Sequence, residues 1–217
     1  MSAGRATRLR VWGRKAAFNV QKVLWCADEL GLAYERVDAG LRYGVVDTPA
    51  YGALNPNRRV PTLEDGTLVL WESNAIVRYL CAQYGMARLC PEDLKQRADV
   101  DRWMDWQAAT LYYPTFRGFY LSVVRDPPER QDKAGLESLR LDIVASLRIL
   151  DEHLTKRWYV GGRTLTMGDI PIGTVLDKWM RMPIERPSMP ALDDYYLRLK
   201  DSQAYRARVV DIALDAI

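Results

Sequence analysis

In the first part of the chain, the pattern of apolar and polar residues shows strand periodicity first and helical periodicity after it. Residues 7–12 alternate polar and apolar side chains, which is typical of a half-buried strand, and residues 33–38 read as a second strand. Between these two segments the apolar residues recur at helical spacing: Val20, Val23, Leu24, Ala27 and Leu30. Gly31 follows them as a helix stop signal. The pattern therefore predicts a strand, a helix and a second strand.

The next elements are a strand pair and a helix. Residues 61–64 and 67–71 read as two short strands joined by the turn Asp65-Gly66. The pattern over Ser73–Tyr84 is helical, and a short helix is expected around Pro49–Leu54. An order of βαβ followed by ββα is that of a thioredoxin-like domain, which we place at residues 1–84.

Beyond Pro91 the pattern is helical throughout. The predicted helices cover residues 92–124, 129–154, 167–181, 190–200 and a short stretch at 203–214. Proline and glycine pairs mark the breaks between them. The predicted fold class is an α/β thioredoxin-like N-terminal domain plus an all-α helical C-terminal domain at residues 91–217.

Composition and charge narrow the class of protein. The formal net charge of +3 is too small to indicate a nucleic-acid partner. The basic excess is partly local, in Arg5, Arg8, Arg10, Arg14 and Lys15. A nucleic-acid-binding arm is a minor alternative there, because strand-like sequence interrupts the charges.

Membrane, secreted and metal-dependent classes are also disfavoured. No apolar run approaches the ~18 residues that a bilayer span requires, and the start of the sequence lacks the apolar stretch of a secretory signal. The scattered thiols Cys26, Cys81 and Cys90 have no metal-ligand spacing and suit a reducing cytoplasm. With His153 as its single histidine, the chain is expected to be cytoplasmic and to hold no metal.

The segment before Pro61 carries the first chemical signal. A proline that opens a strand cannot donate to the sheet, so it belongs at an edge or beside a turn. If the Val60–Pro61 bond is cis, the N–H and C=O of Val60 face outward. An extended peptide can then pair with Val60 as an added strand.

Glu72 and Ser73 carry the second signal, at the change from strand to helix. A helix N-terminus favours a carboxylate, and Ser73 adds a hydroxyl while Glu72 adds an anion for an ammonium group. The pair can therefore recognise the α-amino-acid end of a peptide held at Val60. The alternative is that Ser73 only caps the helix.

In combination, these motifs resemble the glutathione site of cytosolic glutathione transferases. Phe18-Asn19-Val20-Gln21-Lys22-Val23-Leu24-Trp25 and Asp47-Thr48-Pro49 are similar to the bacterial theta-like branch of that family. Thr166-Met167-Gly168-Asp169-Ile170 resembles its helix-capping box, which we assign to folding. The resemblance covers nearly the whole chain.

The resemblance implies a set of glutathione-binding residues and a two-fold homodimer. The expected residues are Val60, Pro61, Glu72 and Ser73, with Arg59 and Arg42 near the glycyl end. Arg58 stands where related sequences often carry glycine.

One position departs from the family. The branch carries a serine after the first strand that donates a hydrogen bond to the glutathione sulfur, and here that position holds Ala17. No hydroxyl lies between Thr7 and Tyr34 to replace it. We predict that Asn19 and Arg14 act as catalytic residues instead. The alternatives are a helix cap for Asn19 and a solvated charge for Arg14.

The second substrate is expected to meet aromatic side chains. Candidate residues are Trp12 beside the sulfur position and, on one face of the first long helix, Trp103, Trp106, Thr110 and Tyr113. Such a stripe also fits a helix that packs in a core.

Three functions remain open at this point. The leading hypothesis is an enzyme that activates the glutathione thiol for attack on a small apolar electrophile, with glutathione as cosubstrate and without nucleic-acid or membrane partners. The second is a non-catalytic glutathione-binding or interaction protein, which Ala17 favours. The third, a thiol–disulfide oxidoreductase, would require a cysteine near position 17.

Overall fold

The computed structural model describes residues 9–214, which divide into two compact units between Gly85 and Met86. The beginning of the first predicted strand and the basic residues Arg5 and Arg8 lie outside the described residues. Each unit has its own core, as expected for a domain.

The first unit is built on a four-stranded mixed sheet. Its elements are β1 (Leu9–Trp12), α1 (Phe18–Glu29), β2 (Tyr34–Val37), α2 (Pro49–Leu54), β3 (Thr62–Asp65), β4 (Leu68–Trp71) and α3 (Ser73–Tyr84). The strand order is β2-β1-β3-β4. Strand β1 runs parallel to β2, while the β1–β3 and β3–β4 pairs are antiparallel. This is the thioredoxin-like arrangement that the sequence predicts.

Helices α1 and α3 pack against each other. The core of the unit contains the alternate strand residues Leu9, Val11 and Leu63 and the apolar faces of the two helices. Because β1 buries alternate side chains and β3 pairs with it, the turns after β1 and before β3 lie at fixed positions. These two turns carry the candidate site.

The second unit is helical. Its elements are α4 (Leu94–Trp106), a π-helical segment (Gln107–Phe116), α5 (Arg117–Arg125), α6 (Lys133–Leu154), α7 (Asp169–Arg181), α8 (Pro190–Asp201), the short α9 (Gln203–Tyr205) and a π-helical turn (Arg206–Val210). Helix α7 is its centre, since every residue from Asp169 to Trp179 is buried. Within residues 9–214, none of the helices is long and apolar enough to cross a bilayer.

The long helix predicted over residues 92–124 is interrupted. The π-helical segment Gln107–Phe116 lies in its middle and contains Pro114. Proline lacks an N–H and clashes with the preceding turn of an α-helix, so the wider π register relieves a conflict that a regular helix would not tolerate.

The capping box at α7 forms in a modified way. The Asp169 carboxylate accepts hydrogen bonds from the N–H of Thr166 (2.8 Å), as predicted. The Thr166 hydroxyl, however, donates to the same carboxylate (2.9 Å) instead of accepting from the N–H of Asp169. The N–H of Val160 and the Tyr195 hydroxyl donate to the other carboxylate oxygen. Asp169 thus ties together three segments of this unit.

Candidate functional site

The segment that leads into β3 is fixed in place but open for pairing. The Val60–Pro61 bond is cis. The Arg59 carbonyl accepts hydrogen bonds from the Tyr51 hydroxyl (2.7 Å) and from the Asn55 amide (2.8 Å). Within residues 9–214, no backbone partner is found for the N–H or C=O of Val60. A rigid segment with two open backbone groups is suited to bind an extended peptide.

The turn before this segment keeps a left-handed conformation although it carries an arginine. Arg58 has φ of +52°, a region that favours glycine. Its guanidinium donates to the carbonyls of Val46 (3.2 Å) and Thr48 (3.1 Å). These bonds hold the loop before α2 against the turn, so the backbone strain is offset by side-chain contacts.

Glu72 and Ser73 meet at the N-terminus of α3. Glu72 is the N-cap residue and Ser73 the first residue of the helix, so Ser73 does not cap it. Among residues 9–214, the Glu72 side chain makes no capping hydrogen bond to this helix end. Ser73 is 5% exposed, whereas Glu72 is exposed with φ of +71°. The exposed carboxylate of Glu72, on a backbone of positive φ, can bind the ammonium group of an α-amino acid, and the adjacent helix end can bind its carboxylate.

The N-terminus of α1 is also uncapped. Ala17 is its N-cap residue, and the first turn contains no acidic side chain. Asn19 is the second helical residue, so it is not a cap. Its Oδ1 atom is buried and has no hydrogen-bond partner among residues 9–214. Buried polar atoms are normally paired, so Oδ1 can accept a hydrogen bond from an N–H or O–H group of a ligand, whereas a hydrogen bond to a sulfur would have to come from the amide Nδ2.

Arg14 approaches the Val60 segment. Gly40 has φ of +86°, and a Cβ atom placed on it would lie 3.3 Å from Arg14 Nη1 and 3.6 Å from Val60 Cγ1. The Arg14 guanidinium and the Val60 side chain therefore both lie close to Gly40, which has no side chain to separate them.

Lys22 is a charged residue near this site that is not among the residues predicted from the sequence. It lies in α1, is 2% exposed, and its Nζ lies 3.3 Å from Asn74 Oδ1. Burial lowers the pKa of Lys22 to about 7, although the charge of Glu72 acts in the opposite direction. In the sequence, Lys22 stands out only as a charged residue of the run Asn19-Val20-Gln21-Lys22, in the stretch between the core residues Val20 and Val23.

The remaining candidates of the first unit lie around this centre. Trp12 donates from Nε1 to Glu64 Oε1 (2.6 Å), and its ring packs edge-on against Tyr51 at 5.8 Å. Arg42 donates to the Tyr43 hydroxyl (2.9 Å) in an exposed loop, and Arg59 is exposed. In the part of the chain described, the side chains of these two arginines therefore lie at the surface and not in the core.

In the second unit, two of the predicted residues line a pocket of about 760 Å³. Trp103 and Trp106 contact each other at 5.1 Å between ring centroids, and the His153 ring lies 4.6 Å from that of Trp103. The other lining residues come from α4, α6 and the turn after α6. This pocket is aromatic on one wall and charged at its rim.

Thr110 and Tyr113 do not line this pocket. Both belong to the π-helical segment and both are exposed, while Leu111 and Tyr112 between them are buried. The wider π register changes which residues share a face with the tryptophans. The four candidates therefore do not form the single helical stripe that the sequence predicts.

The thiols occupy core positions. Cys26 and Cys81 are buried in α1 and α3 with their Sγ atoms 3.5 Å apart. The contact with Cys81 and burial raise the pKa of Cys26 well above its ordinary value, so this thiol is poorly nucleophilic. Among residues 9–214 no cluster of His, Cys, Asp and Glu side chains is suited to hold a metal ion.

Comparison with known sequences gives matches to one family. A family model for the N-terminal domain of glutathione S-transferases matches residues 19–83. Glutathione S-transferase GstB of Escherichia coli strain K12 is 37% identical over 204 residues, which cover 93% of this chain and 98% of that protein. A probable rice glutathione S-transferase, GSTF2, is 30% identical over 75% of this chain and 76% of its own length.

Solved structures match over the same extent. The theta class glutathione S-transferase from the citrus canker pathogen Xanthomonas axonopodis pv. citri, with glutathione bound, superposes with a TM-score of 0.90 and 46% sequence identity. The match covers 96% of this chain and 99% of that one. It confirms the predicted combination of a thioredoxin-like domain and an all-helical domain. This chain belongs to the glutathione S-transferase family, in its bacterial theta-like branch.

Proposed function

We propose that this chain is a glutathione transferase that binds reduced glutathione in its first unit and transfers its sulfur to a small apolar electrophile. The observation that carries the proposal is the open backbone of Val60 in the same unit as the uncapped α3 end at Glu72 and Ser73. The named relatives support it, because a theta class relative holds glutathione in its crystal structure.

The cysteinyl part of glutathione pairs with Val60 in this proposal. An extended peptide that forms two backbone hydrogen bonds there gains affinity without any requirement on its side chains. The hydrogen bonds from Tyr51 and Asn55 to the Arg59 carbonyl keep the pairing edge rigid. Rigidity lowers the entropy that binding must overcome. Arg59 and Arg42 provide positive charge for the glycyl carboxylate.

The γ-glutamyl end binds at α3. Its α-carboxylate accepts from the Ser73 hydroxyl and from the N–H groups of the first helical turn, where the helix dipole favours an anion. Its ammonium group binds the Glu72 carboxylate. Charge-assisted hydrogen bonds of this kind are shorter and stronger than neutral ones.

Activation of the thiol requires a replacement for the missing hydroxyl at Ala17. Lowering a thiol pKa from ~8.5 by about two units takes roughly 2.7 kcal/mol of thiolate stabilisation. One hydrogen bond to a charged group supplies about 1.5–3 kcal/mol. In this proposal the two groups that stabilise the thiolate are Arg14, whose Nη1 lies near Gly40 as Val60 does, and the amide of Asn19 at the start of α1.

The apolar electrophile meets the thiolate beside aromatic side chains. Trp12 is the candidate of the first unit, and its ring is held by Glu64 and Tyr51. The candidates of the second unit are Trp103, Trp106, Thr110 and Tyr113. A two-fold homodimer in the cytoplasm is the assembly and location that accompany this function in the proposal.

A calorimetric titration with reduced glutathione tests the proposal. We expect micromolar to low-millimolar binding to the unmodified protein. Ser73→Ala should weaken it about tenfold or more, because a hydrogen bond to a charged group is lost. Ser138→Ala, an exposed serine of α6, is the matched control and should bind like the unmodified protein.

Two outcomes would contradict the proposal in different ways. An absence of binding at several-fold higher concentration would favour an interaction protein that kept the fold. Binding without turnover of any apolar electrophile would leave glutathione recognition in place and remove the transferase activity, as the absence of a hydroxyl at Ala17 would then explain.

A further inference from the structure

Lys22 is a buried cation close to the candidate site. It is 2% exposed in the second turn of α1. Transferring an ammonium group from water to a protein interior costs several kcal/mol unless partners compensate for it. Burial in fact lowers the pKa of Lys22 to about 7. A methionine, which has similar length and no charge, would avoid this cost to the stability of the folded state.

The contacts of Lys22 lead to the first turn of α3. Its Nζ lies 3.3 Å from Asn74 Oδ1 and 5.7 Å from the centroid of the Phe18 ring. The negative charge of Glu72 favours its protonated form. Lys22 therefore interacts with the residues on both sides of Ser73, one through a polar contact and the other through charge.

This arrangement matches the charges of an α-amino acid. The γ-glutamyl end of glutathione carries an ammonium group and a carboxylate. Glu72 supplies the negative charge for the first. The uncapped end of α3 supplies only the partial positive charge of a helix dipole for the second. When protonated, Lys22 adds a positive charge near that turn, where its effect is stronger than in water because the surroundings are poorly polarisable.

We propose that Lys22 is a positioning residue of the glutathione site, which holds Asn74 and Glu72 around Ser73 and thereby sets the affinity for the zwitterionic γ-glutamyl end. This inference rests on the glutathione binding proposed above. It adds a residue of α1 to a subsite otherwise built from β4 and α3. Lys22 acts through its neighbours and is not expected to touch the reacting sulfur.

The test combines binding with thermal unfolding of the same variants. Calorimetry with reduced glutathione should show at least tenfold weaker binding to Lys22→Met. The unfolding temperature of the ligand-free variant should equal or exceed that of the unmodified protein, because a buried charge has been removed. Lys95→Met, an exposed lysine in the first turn of α4, makes the same change in net charge and should alter neither quantity.

A double-mutant cycle tests the route through Asn74. If Lys22 acts by holding Asn74, then Lys22→Met should add little to the loss of affinity already caused by Asn74→Ala. Fully additive losses would overturn that route. Unchanged affinity of Lys22→Met, or weaker binding together with a clear fall in unfolding temperature, would overturn the role in positioning. Failure of the unmodified protein to bind glutathione would instead refute the proposed function, and this is seen before any variant is compared.

Discussion

At the start of helix α7, both carboxylate oxygens of Asp169 accept hydrogen bonds. The start of helix α1 has no side-chain cap and contains a buried polar atom without a partner among residues 9–214. At α7, Asp169 accepts four hydrogen bonds from Val160, Thr166 and Tyr195. At α1, Ala17 provides no cap, and Asn19 Oδ1 is buried without a partner among residues 9–214. Completed networks stabilise the fold, while incomplete ones are where a ligand can supply the missing partner.

The buried charges of the two units differ in the same way. The Asp169 carboxylate accepts hydrogen bonds from protein donors at both of its oxygens, so it needs no ligand as a hydrogen-bond partner. The contacts of Lys22 include Asn74 Oδ1 at 3.3 Å and the Phe18 ring, and the charge of Glu72 favours its protonated form. We infer that Asp169 serves stability and that Lys22 accepts a cost in stability for binding. Variants at the two helix starts test this difference.

The largest expected effect is on the stability of the second unit. Asp169→Ala leaves the N–H groups of Val160 and Thr166 and the hydroxyls of Thr166 and Tyr195 buried without their acceptor. We expect the free energy of unfolding to fall by about 3–5 kcal/mol, measured by urea denaturation.

The control is Asp142→Ala, which removes an exposed carboxylate from α6. It should change stability by no more than about 0.5 kcal/mol. Equal losses for both variants would show that the network around Asp169 contributes no more than a surface charge. The comparison between the two helix starts would then lose its basis.

The next effect is a difference in pH dependence. The folded-state pKa of Lys22, about 7, lies below its ordinary value of 10.5, so the unfolded chain binds the proton more tightly. Stability from this group therefore rises as the pH rises from about 7 towards 10. For Asp169 the pKa is raised to about 6 by burial, so its contribution falls as the pH rises from about 4 to 6.

Urea denaturation at about pH 7 and about pH 9 isolates the Lys22 contribution. The unmodified protein should gain about 2 kcal/mol relative to Lys22→Met over this interval. Taking the difference removes the other titrating groups, which both proteins share. Parallel pH profiles would mean that Lys22 is not more weakly protonated in the folded state than in the unfolded chain.

The fold was largely predictable because local signals agree with the packing. Helices Pro49–Leu54 and Ser73–Tyr84 occur at the predicted residues, since Thr48-Pro49 and the end of β4 mark where each begins. The π-helical segment Gln107–Phe116 was missed, because apolar spacing does not distinguish an α-helix from a locally widened one. Helix α6 begins at Lys133, four residues later than predicted, where Asp132 caps it.

The candidate site was predictable where it depends on backbone geometry. Val60, Pro61, Glu72 and Ser73 lie at turns whose sequence restricts the chain, and the structure places them in one unit. Lys22 was missed because a lysine between core valines gives no sign of where its amine ends. The direction of a long side chain depends on the packing of α1 against α3, which spacing along the sequence does not specify.

The smallest expected effect concerns the start of α1. Asn19→Ala removes a side chain whose Oδ1 is buried without a partner, and alanine favours helix, so stability should be unchanged or slightly higher. Turnover of glutathione with an apolar electrophile should fall about tenfold, equal to about 1.4 kcal/mol, because a donor to the thiolate is lost. The pH dependence of kcat/KM should shift to higher pH by up to about one unit.

Ala17→Ser is the matched variant, since it makes the start of α1 resemble the capped helices of the chain. The backbone of Ala17 (φ −70°, ψ 124°) suits a serine cap, so stability should rise by about 0.5–2 kcal/mol. A hydroxyl at this position also offers the sulfur the donor that the family carries there. Turnover by Ala17→Ser should then equal or exceed that of the unmodified protein and should depend less on Asn19. If Asn19→Ala keeps full turnover with alanine at position 17, Asn19 is not the replacement donor, and thiol activation falls to Arg14 and the free end of α1.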